Sequence, residues 1–251
     1  MQSSRFSFLF AALSAASLAG CMPPGVQSPP PPTEDLVREV LSVPSAHALR
    51  AYGTLRLSSP EGNFVASAVV FYSHPESLKV VVQGGFGTTV AEIALAGDRG
   101  VAYLPQQRQA FELREGSGLL LGTAVVYPSM LFHLLKPVDV ERPGPDAVVG
   151  TEANSYVLAS RTATGTRIWR ISGRSRRLES EEYRAVENTT YWNRSFGLVN
   201  GTRVPKSFSV RLGDTSMSGE FTRIDLAPAN RPGAFSVVLP PGVEPMPVPD
   251  E

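Results

Sequence analysis

The sequence predicts a mainly β domain with packed helices, an α+β arrangement in which one strongly curved antiparallel sheet contains the core. The first observation is a period-two alternation that begins at Ala51 and recurs in short segments separated by turn sequences such as residues 59–63. Second, several segments are apolar on both faces, which indicates that each side of the sheet is at least partly covered. Third, apolar helical patterns at 34–41 and 119–135 could supply this cover.

The first half of the domain is predicted to be a helix followed by a meander of strands. Thr33 is a suitable N-cap, Glu34 and Asp35 suit the positive end of a helix, and Pro44 interrupts the pattern. After the strand that begins at Ala51, the predicted strands are 64–72, 78–83, 88–96, 101–104 and 111–113.

Residues 119–135 form a long apolar stretch that Pro128 divides into two predicted helices. The plainer interpretation packs both helices on the sheet as core. The alternative makes them a lid over an apolar cavity, and the two interpretations are compatible. The later predicted strands are 155–160, 166–171, 177–182, 203–212, 216–224 and 235–239. The side chains expected to line such a cavity are Phe71, Val80, Val82, Ile93, Leu120, Leu121, Val125, Leu131, Leu134, Trp169 and Phe221.

A glycine-rich connection, residues 84–87, joins the third and fourth strands and carries Phe86 between Gly85 and Gly87. Glycines permit a tight connection, and large apolar side chains at loop tips commonly mark contact with a membrane or a binding partner. The alternative is that Phe86 folds back under the edge of the sheet. The residues alone leave both interpretations open.

The first 20 residues have the pattern of a signal peptide, because Arg5 precedes an apolar run that is too short to span a bilayer as a helix. The sequence Leu18-Ala19-Gly20-Cys21 resembles a bacterial lipobox. This resemblance implies cleavage before Cys21 and attachment of a diacylglyceryl group and an N-acyl chain there. The alternative is an ordinary secretory signal whose cysteine is incidental.

Residues 21–33 combine this cysteine with a proline-rich segment, which favours extended polyproline II structure and would act as a semi-rigid tether. By resemblance to the sorting rule of enteric bacteria, Met22 in place of aspartate favours the outer membrane. We therefore expect a protein of the cell envelope, whose domain at 34–243 faces the periplasm. A disordered proline-rich tail is expected at 244–251.

The composition argues against several classes of function. Lys plus Arg and Asp plus Glu both total 23, whereas a nucleic-acid binder would show a basic domain. The three histidines are far apart and there is one cysteine, so we expect no metal and no cofactor. No G-x-S-x-G elbow, P-loop or H-E-x-x-H motif occurs, so we expect no catalytic residue and no enzyme activity. The arginine cluster at 174–177 is either a contact for anionic lipid heads or an acidic partner, or a solvated turn.

The run from residue 78 to residue 93 resembles the central hairpin of the LolB family of lipoprotein receptors. The shared pattern is a strand, a loop that ends in an apolar residue and glycine, and a strand with alternating acidic and apolar positions. The family's protruding apolar loop residue, usually leucine, matches Phe86. The wider resemblance to the LolA/LolB superfamily covers about 34–243 and implies an incomplete β-barrel with a helical lid.

The same resemblance implies a function. It implies an outer-membrane-anchored lipoprotein that binds acyl chains or lipoproteins non-covalently in an apolar cavity, for lipid or lipoprotein transfer or insertion. The loop at Phe86 would contact the membrane or the cargo, and a periplasmic carrier protein is an implied partner. The alternative is a structural or scaffolding envelope lipoprotein with the same fold, a filled interior and no transported ligand.

Overall fold

The computed structural model describes residues 33–75, 77–114, 116–121, 124–138, 148–152, 154–186, 190–226 and 234–248. Cys21, together with the rest of the predicted signal peptide and the tether up to residue 32, lies outside this part of the chain. Within it, the protein is mostly β, with a long, curved, open sheet and few helices.

The strands, in chain order, are β1 (Ala48–Ser59), β2 (Gly62–Ser73), β3 (Ser77–Gln83), β4 (Thr89–Ala96), β5 (Arg99–Leu104), β6 (Gln109–Arg114), β7 (Leu119–Leu121), β8 (Ala124–Val126), β9 (Val148–Glu152), β10 (Ser155–Arg161), β11 (Gly165–Ser172), β12 (Leu178–Ala185), β13 (Thr190–Val199), β14 (Thr202–Leu212), β15 (Thr215–Asp225) and β16 (Pro245–Pro247). Two α-helices are described, α1 (Thr33–Ser42) and α2 (Pro128–Leu135).

In the described chain, fourteen of these strands form one sheet built from two antiparallel meanders. The first meander runs from β1 to β6 and the second from β9 to β15. They join because β1 pairs with β15, and β16 then adds in parallel to the free edge of β6. The strands β7 and β8 stay outside this sheet and pair only with each other.

The sheet buries one face because its strands alternate in the expected period of two. Along β2, Ala66, Ala68, Val70 and Tyr72 are all buried, while the residues between them are more exposed. The pairing of β1 with β15 shifts register at Gly53, and such irregularities increase the local bend and twist of a sheet. Glycine is required there, because a Cβ would lie 2.1 Å from the carbonyl oxygen of Glu220.

The hairpin β7–β8 and the helix α2 cover the concave face of this sheet. The strand β8 lies over β1, β2 and β15, and α2 lies against β4 and β14, so the cover spans the junction of the two meanders. Its inward side chains are buried together with those of the sheet in one apolar cluster. The buried side chains of the cover are Leu119, Leu121, Leu131, Leu134 and Leu135.

The helix α1 belongs to a second apolar cluster on the later meander. Its apolar positions Leu36, Val37 and Val40 recur at helical spacing and pack with Trp169 and Ile171 of β11. The two helices therefore cover different parts of the sheet.

The structure confirms the second predicted mid-chain helix as α2, but the first is wrong. Residues 119–126 contain the hairpin β7–β8 instead. The segment is short, and Val125 and Val126 are β-branched residues that favour strands. An apolar run of this length carries no periodicity that separates helix from strand.

The chain also differs from the predictions at its end. Residues 235–239 form no strand, whereas Pro245–Pro247, inside the predicted disordered tail, pair with β6. Proline is tolerated there because β16 lies at the edge of the sheet, where one side of the backbone needs no ladder partner. The strands β9 and β13 are absent from the predicted set.

Candidate functional site

The concave face gathers most of the side chains that were expected to line a cavity. They are buried with side chains of α2 and the β7–β8 hairpin in one cluster, so within the described residues this face is apolar and covered. The members of this buried cluster that the sequence patterns had singled out are Val80, Val82, Ile93, Leu121, Leu131, Leu134 and Phe221.

Phe71 lies elsewhere, so its prediction as a lining residue is wrong. Its neighbours Val70 and Tyr72 are fully buried on the concave face, and alternation along β2 directs Phe71 to the opposite face, where it is half-buried. The strand is apolar on both faces, so the sequence alone did not identify the inward face. Phe71 pairs across the sheet with Arg50 and Lys79.

Leu120 and Val125 lie in the segment that was predicted to be a helix and is a hairpin in the structure, so their side chains point elsewhere than predicted. Leu120 is 57% exposed because Leu119 and Leu121, on either side of it, take the inward positions of β7. Val125 is the cross-strand partner of Leu120 and shares its outward face, where it is half-buried. Both predictions as lining residues are therefore wrong.

Trp169 is an inward aromatic residue, as predicted, but it packs in the cluster beneath α1 and not beneath α2. Its indole nitrogen is buried without a hydrogen-bond partner in the described part of the chain. Trp169 therefore contributes to the second cluster and does not line the concave face under the cover.

A buried arginine fastens the C-terminal end of α2 to the sheet. Arg194 of β13 is 1% exposed, and its Nη1 donates to the carbonyl oxygens of Leu134 (3.1 Å) and Lys136 (2.6 Å). Its Nε and Nη2 donate to the carboxylate of Glu181 at 2.8 and 2.6 Å, and the guanidinium lies over the ring of Phe196. A cation in this place complements the negative end of the helix.

A second buried arginine performs the same role for α1. Arg203 of β14 donates from Nη2 to the carbonyl oxygen of Val40, and its backbone pairs with Pro44 and Ala46 after the helix. Burial lowers the pKa of Arg203, the charge of Arg194 lowers it further, and Glu181 opposes the shift. Both arginines occupy inward strand positions, and this signal in the sequence was missed.

Tyr72 lies beneath α2 and connects the helix to the sheet. Its ring meets that of Phe132 edge-on, with the centroids 6.4 Å apart, and its hydroxyl lies 3.3 Å from Nδ1 of His74. Burial raises the pKa of Tyr72 to about 12, and the charge of Arg194 partly opposes the shift. The phenol therefore remains neutral at physiological pH.

The loop between β3 and β4 presents Phe86 to solvent. Phe86 has φ 59° and ψ 21°, in the left-handed region, and its side chain is fully exposed, at 108% of the reference value. The loop is closed by the Gly84 N–H, which donates to the Thr88 carbonyl oxygen at 2.9 Å, and by Thr88 Oγ1, which donates to the Gly85 carbonyl oxygen at 3.0 Å. The alternative in which Phe86 folds back under the sheet edge is therefore excluded.

A second exposed apolar side chain lies near the same loop. Ser67 of β2 pairs with Gln83 of β3, so the register places Val65 beside the start of the 84–88 loop. Val65 is 62% exposed. Val65 and Phe86 thus mark one end of the sheet as apolar.

The arginine cluster of the β11–β12 turn is only partly engaged. Arg176 stacks on the ring of Tyr156 and lies 4.0 Å from Glu39, whereas Arg174 and Arg177 are exposed. Within the described residues, neither helix is long and apolar enough to cross a bilayer, and no cluster of three metal-ligating side chains is present.

No protein-family model matches the sequence, and no curated protein matches it either. Several solved structures, however, are similar to it. A DUF1329 family protein from Desulfovibrio piger is similar with a TM-score of 0.54 at 9% identity, over 80% of this chain and 95% of that chain. At such an identity, the likeness concerns the fold alone.

Other similar solved structures include a LolA superfamily protein from Nitrosomonas europaea, with a TM-score of 0.47 and 10% identity over 81% of this chain and 97% of that one. They also include an outer membrane lipoprotein-sorting protein domain from Vibrio parahaemolyticus, with a TM-score of 0.48 and 8% identity over 80% of this chain and 94% of that one.

Proposed function

We propose that the protein is a lipid-anchored envelope protein that binds acyl chains, free or on lipoproteins, non-covalently on its concave face. Binding would serve the transfer or insertion of lipids or lipoproteins, and no bond of the cargo is made or broken. The proposal places the anchor at Cys21 and the domain on the periplasmic side of the outer membrane.

The observation that carries this proposal is the apolar concave face beneath a small separate cover. The hairpin β7–β8 has no ladder bonds to the sheet, and α2 is a helix of 8 residues. An acyl chain that replaced the cover would exchange one apolar contact for another, so the cost of displacing the cover would be partly recovered. Burial of hydrocarbon contributes about 0.8 kcal/mol per CH₂.

Phe86 supports the membrane side of the proposal. An exposed aromatic side chain on a closed loop gains about 1.5 to 3 kcal/mol when it is buried in an apolar environment. Val65 on the adjacent strand would enlarge the contact. The resemblance of residues 78–93 to the LolB hairpin assigns the same contact to the position of Phe86.

The test is the ligand content of the soluble chain that begins after residue 21. We expect lipid to co-purify with it, detected by mass spectrometry, and a fluorescent fatty acid to bind it saturably. A lipid-free protein that takes up no fatty acid would contradict the carrier proposal. A periplasmic carrier that hands over cargo would be sought as a partner only after uptake is established.

A structural or scaffolding role is the second candidate, and one observation favours it. The concave face is covered within the described residues, with Val70, Tyr72 and Leu78 fully buried. A scaffold would keep this interior closed under all conditions. Failure of the fatty-acid titration together with capture of an envelope protein by the intact chain would favour this candidate.

A further inference from the structure

The outer face of the second meander contains a groove that is separate from the concave face and from the Phe86 loop. The groove encloses about 670 Å³ and lies across β12 to β15. Its polar lining residues include Arg184, Tyr191, Ser209, Arg211, Ser216 and Ser218, and Thr190, Val210 and Met217 also line it.

The strand register explains why these side chains meet. Arg211 of β14 lies between its two cross-strand partners, Tyr191 of β13 and Ser216 of β15. One step along the same face, Ser209 pairs with Ser218. The neighbours of these positions, Trp192, Val210 and Met217, are buried on the concave face, so the polar set faces outward.

The groove is rich in hydrogen-bond donors and lacks a carboxylate in its described lining. Arg211 has no acidic partner within the described residues, and its guanidinium offers a planar fork of donors. Asn193 Nδ2 donates to the Tyr191 phenol oxygen at 2.8 Å, which leaves the phenol hydrogen available. Ser216 and Ser218 supply hydroxyl groups from β15, on the other side of β14.

Arg184 also lines the groove, but its guanidinium is paired with a carboxylate on the same face of β12. Its Nε donates to Glu182, and the other oxygen of that carboxylate accepts from Arg170 at 2.9 Å. Arg170 also pairs with Glu152 at 3.1 Å, so these two arginines and two carboxylates balance, and Arg211 is the cation of the groove that no carboxylate of the described residues neutralises.

We propose that this groove binds a phosphate group. Arg211 would bind two phosphate oxygens in a bidentate manner, and the hydroxyl groups of Tyr191, Ser216 and Ser218 would donate to the others. The phosphate can come from an anionic lipid head or from free phosphate, because both present the same oxygens. This site lies on the face opposite to the proposed acyl-chain site and does not depend on it.

The test is calorimetric titration of the soluble chain that begins after residue 21, with inorganic phosphate at constant ionic strength. A parallel titration uses vesicles of phosphatidylglycerol, with phosphatidylcholine vesicles as the reference. We expect Arg211→Gln to weaken binding by about tenfold or more, since it removes a charged hydrogen-bonding partner. Tyr191→Phe should weaken it by a smaller factor.

The matched control is Arg114→Gln, which removes an exposed arginine of β6 far from the groove along the sheet. Phosphate binding that depends on Arg211 but not on Arg114 supports the proposal. Binding to phosphatidylglycerol vesicles without binding to inorganic phosphate identifies the lipid head as the source of the phosphate group. Absence of binding in both titrations, or equal binding by wild type and Arg211→Gln, overturns it. Thermal unfolding of each variant confirms that it is folded, and Ser216→Ala replaces any variant that is not.

Discussion

Phe86 has an unusual combination of backbone and side-chain environment. Its left-handed backbone costs an L-residue about 1 to 2 kcal/mol, and its ring is exposed to water without any packing contact to offset this. The flanking Gly85 and Gly87 would tolerate such a turn more readily. A side chain that contributes so little to the fold is free to act outside it, which is the role we propose.

Replacing Phe86 with glutamate should reduce binding to lipid vesicles while leaving the fold intact. A charge at this position would oppose contact with the hydrocarbon region, but nothing buried is lost, so the free energy of unfolding should change by less than about 0.5 kcal/mol. Vesicle co-sedimentation and urea unfolding measure the two effects. Phe86→Leu is the control, because it keeps an apolar side chain, and it should retain binding.

Replacing Phe86 with glycine separates the backbone from the side chain. Glycine adopts a positive φ without a steric penalty, so we expect the protein to gain up to about 1 kcal/mol of stability while losing vesicle binding. Urea unfolding measures the gain. A loss of more than about 1 kcal/mol, which the extra entropy of glycine in the unfolded chain does not explain, would show that the ring packs against the protein, contrary to the structure.

The raised pKa of Tyr72 predicts a loss of stability at alkaline pH. Its pKa is raised to about 12 in the folded protein, mainly by burial, whereas an exposed tyrosine titrates near 10. The unfolded chain therefore releases this proton first, and the contribution of Tyr72 is complete below about pH 10 and is lost as the pH rises toward 12. Urea unfolding between pH 8 and 11.5 should show this decline, and Tyr72→Phe should flatten it. An identical decline in both proteins would assign it to other groups.

At the scale of the elements, α2 is attached to the sheet by a buried ion pair at one end. Arg194 satisfies the carbonyl oxygens of Leu134 and Lys136 and is itself balanced by Glu181. A buried pair of this kind stabilises little overall, but removal of one partner is costly because it leaves the other charge uncompensated. The pair therefore fixes the position of the helix rather than adding to the stability of the core.

The variant Arg194→Met should destabilise the protein by roughly 3 kcal/mol and increase hydrogen exchange in residues 130–136. We expect this value at the low end of the usual range, because Arg167 remains 3.6 Å from Glu181. The double variant with Glu181→Gln should recover part of the loss, because it removes the uncompensated charge. Urea unfolding and exchange mass spectrometry test this, and unchanged exchange in α2 would show that Arg194 does not hold the helix.

The elements also show where sequence patterns are sufficient and where they are not. The Pro128 start of α2 and the period-two strands of the first meander follow from local signals that the tertiary structure keeps. The hairpin β7–β8 does not follow from local signals, because three-residue apolar segments take their conformation from the surface that they cover. The strand β13 was not predicted because it contains the polar residues Asn193, Arg194 and Ser195. These residues favour a strand only once their partners across the sheet are present.

The lining predictions that are wrong, such as Phe71 and Leu120, have two physical reasons. A strand that is apolar on both faces does not reveal its inward face, and a shift between helix and strand exchanges inward and outward positions. Phe71 and Leu120 were misplaced in this way, while Val80, Ile93 and Phe221 lie on the concave face. The exposed position of Phe86 could be anticipated only as one of two alternatives.

At the scale of the whole molecule, one apolar face of a curved sheet is enclosed by a cover that belongs to neither meander. The chain leaves the first meander after β6, crosses this face as β7, β8 and α2, and enters the second meander at β9. The β7–β8 hairpin has no strand pairs with the sheet that its movement would break, whereas the C-terminal end of α2 is held by Arg194. We therefore attribute the proposed cargo binding to movement of the hairpin part of the cover over a stable sheet.

The most direct measurement is photo-crosslinking of the mature chain with a fatty acid that carries a diazirine near its methyl end, followed by mapping of the labelled peptides. We expect labels on the concave face of the sheet, at positions such as Val80 in β3, Ile93 in β4 and Phe221 in β15. The labels should be lost when unlabelled fatty acid competes. Labels confined to the outer face of the sheet, or labelling that unlabelled fatty acid does not reduce, would contradict it.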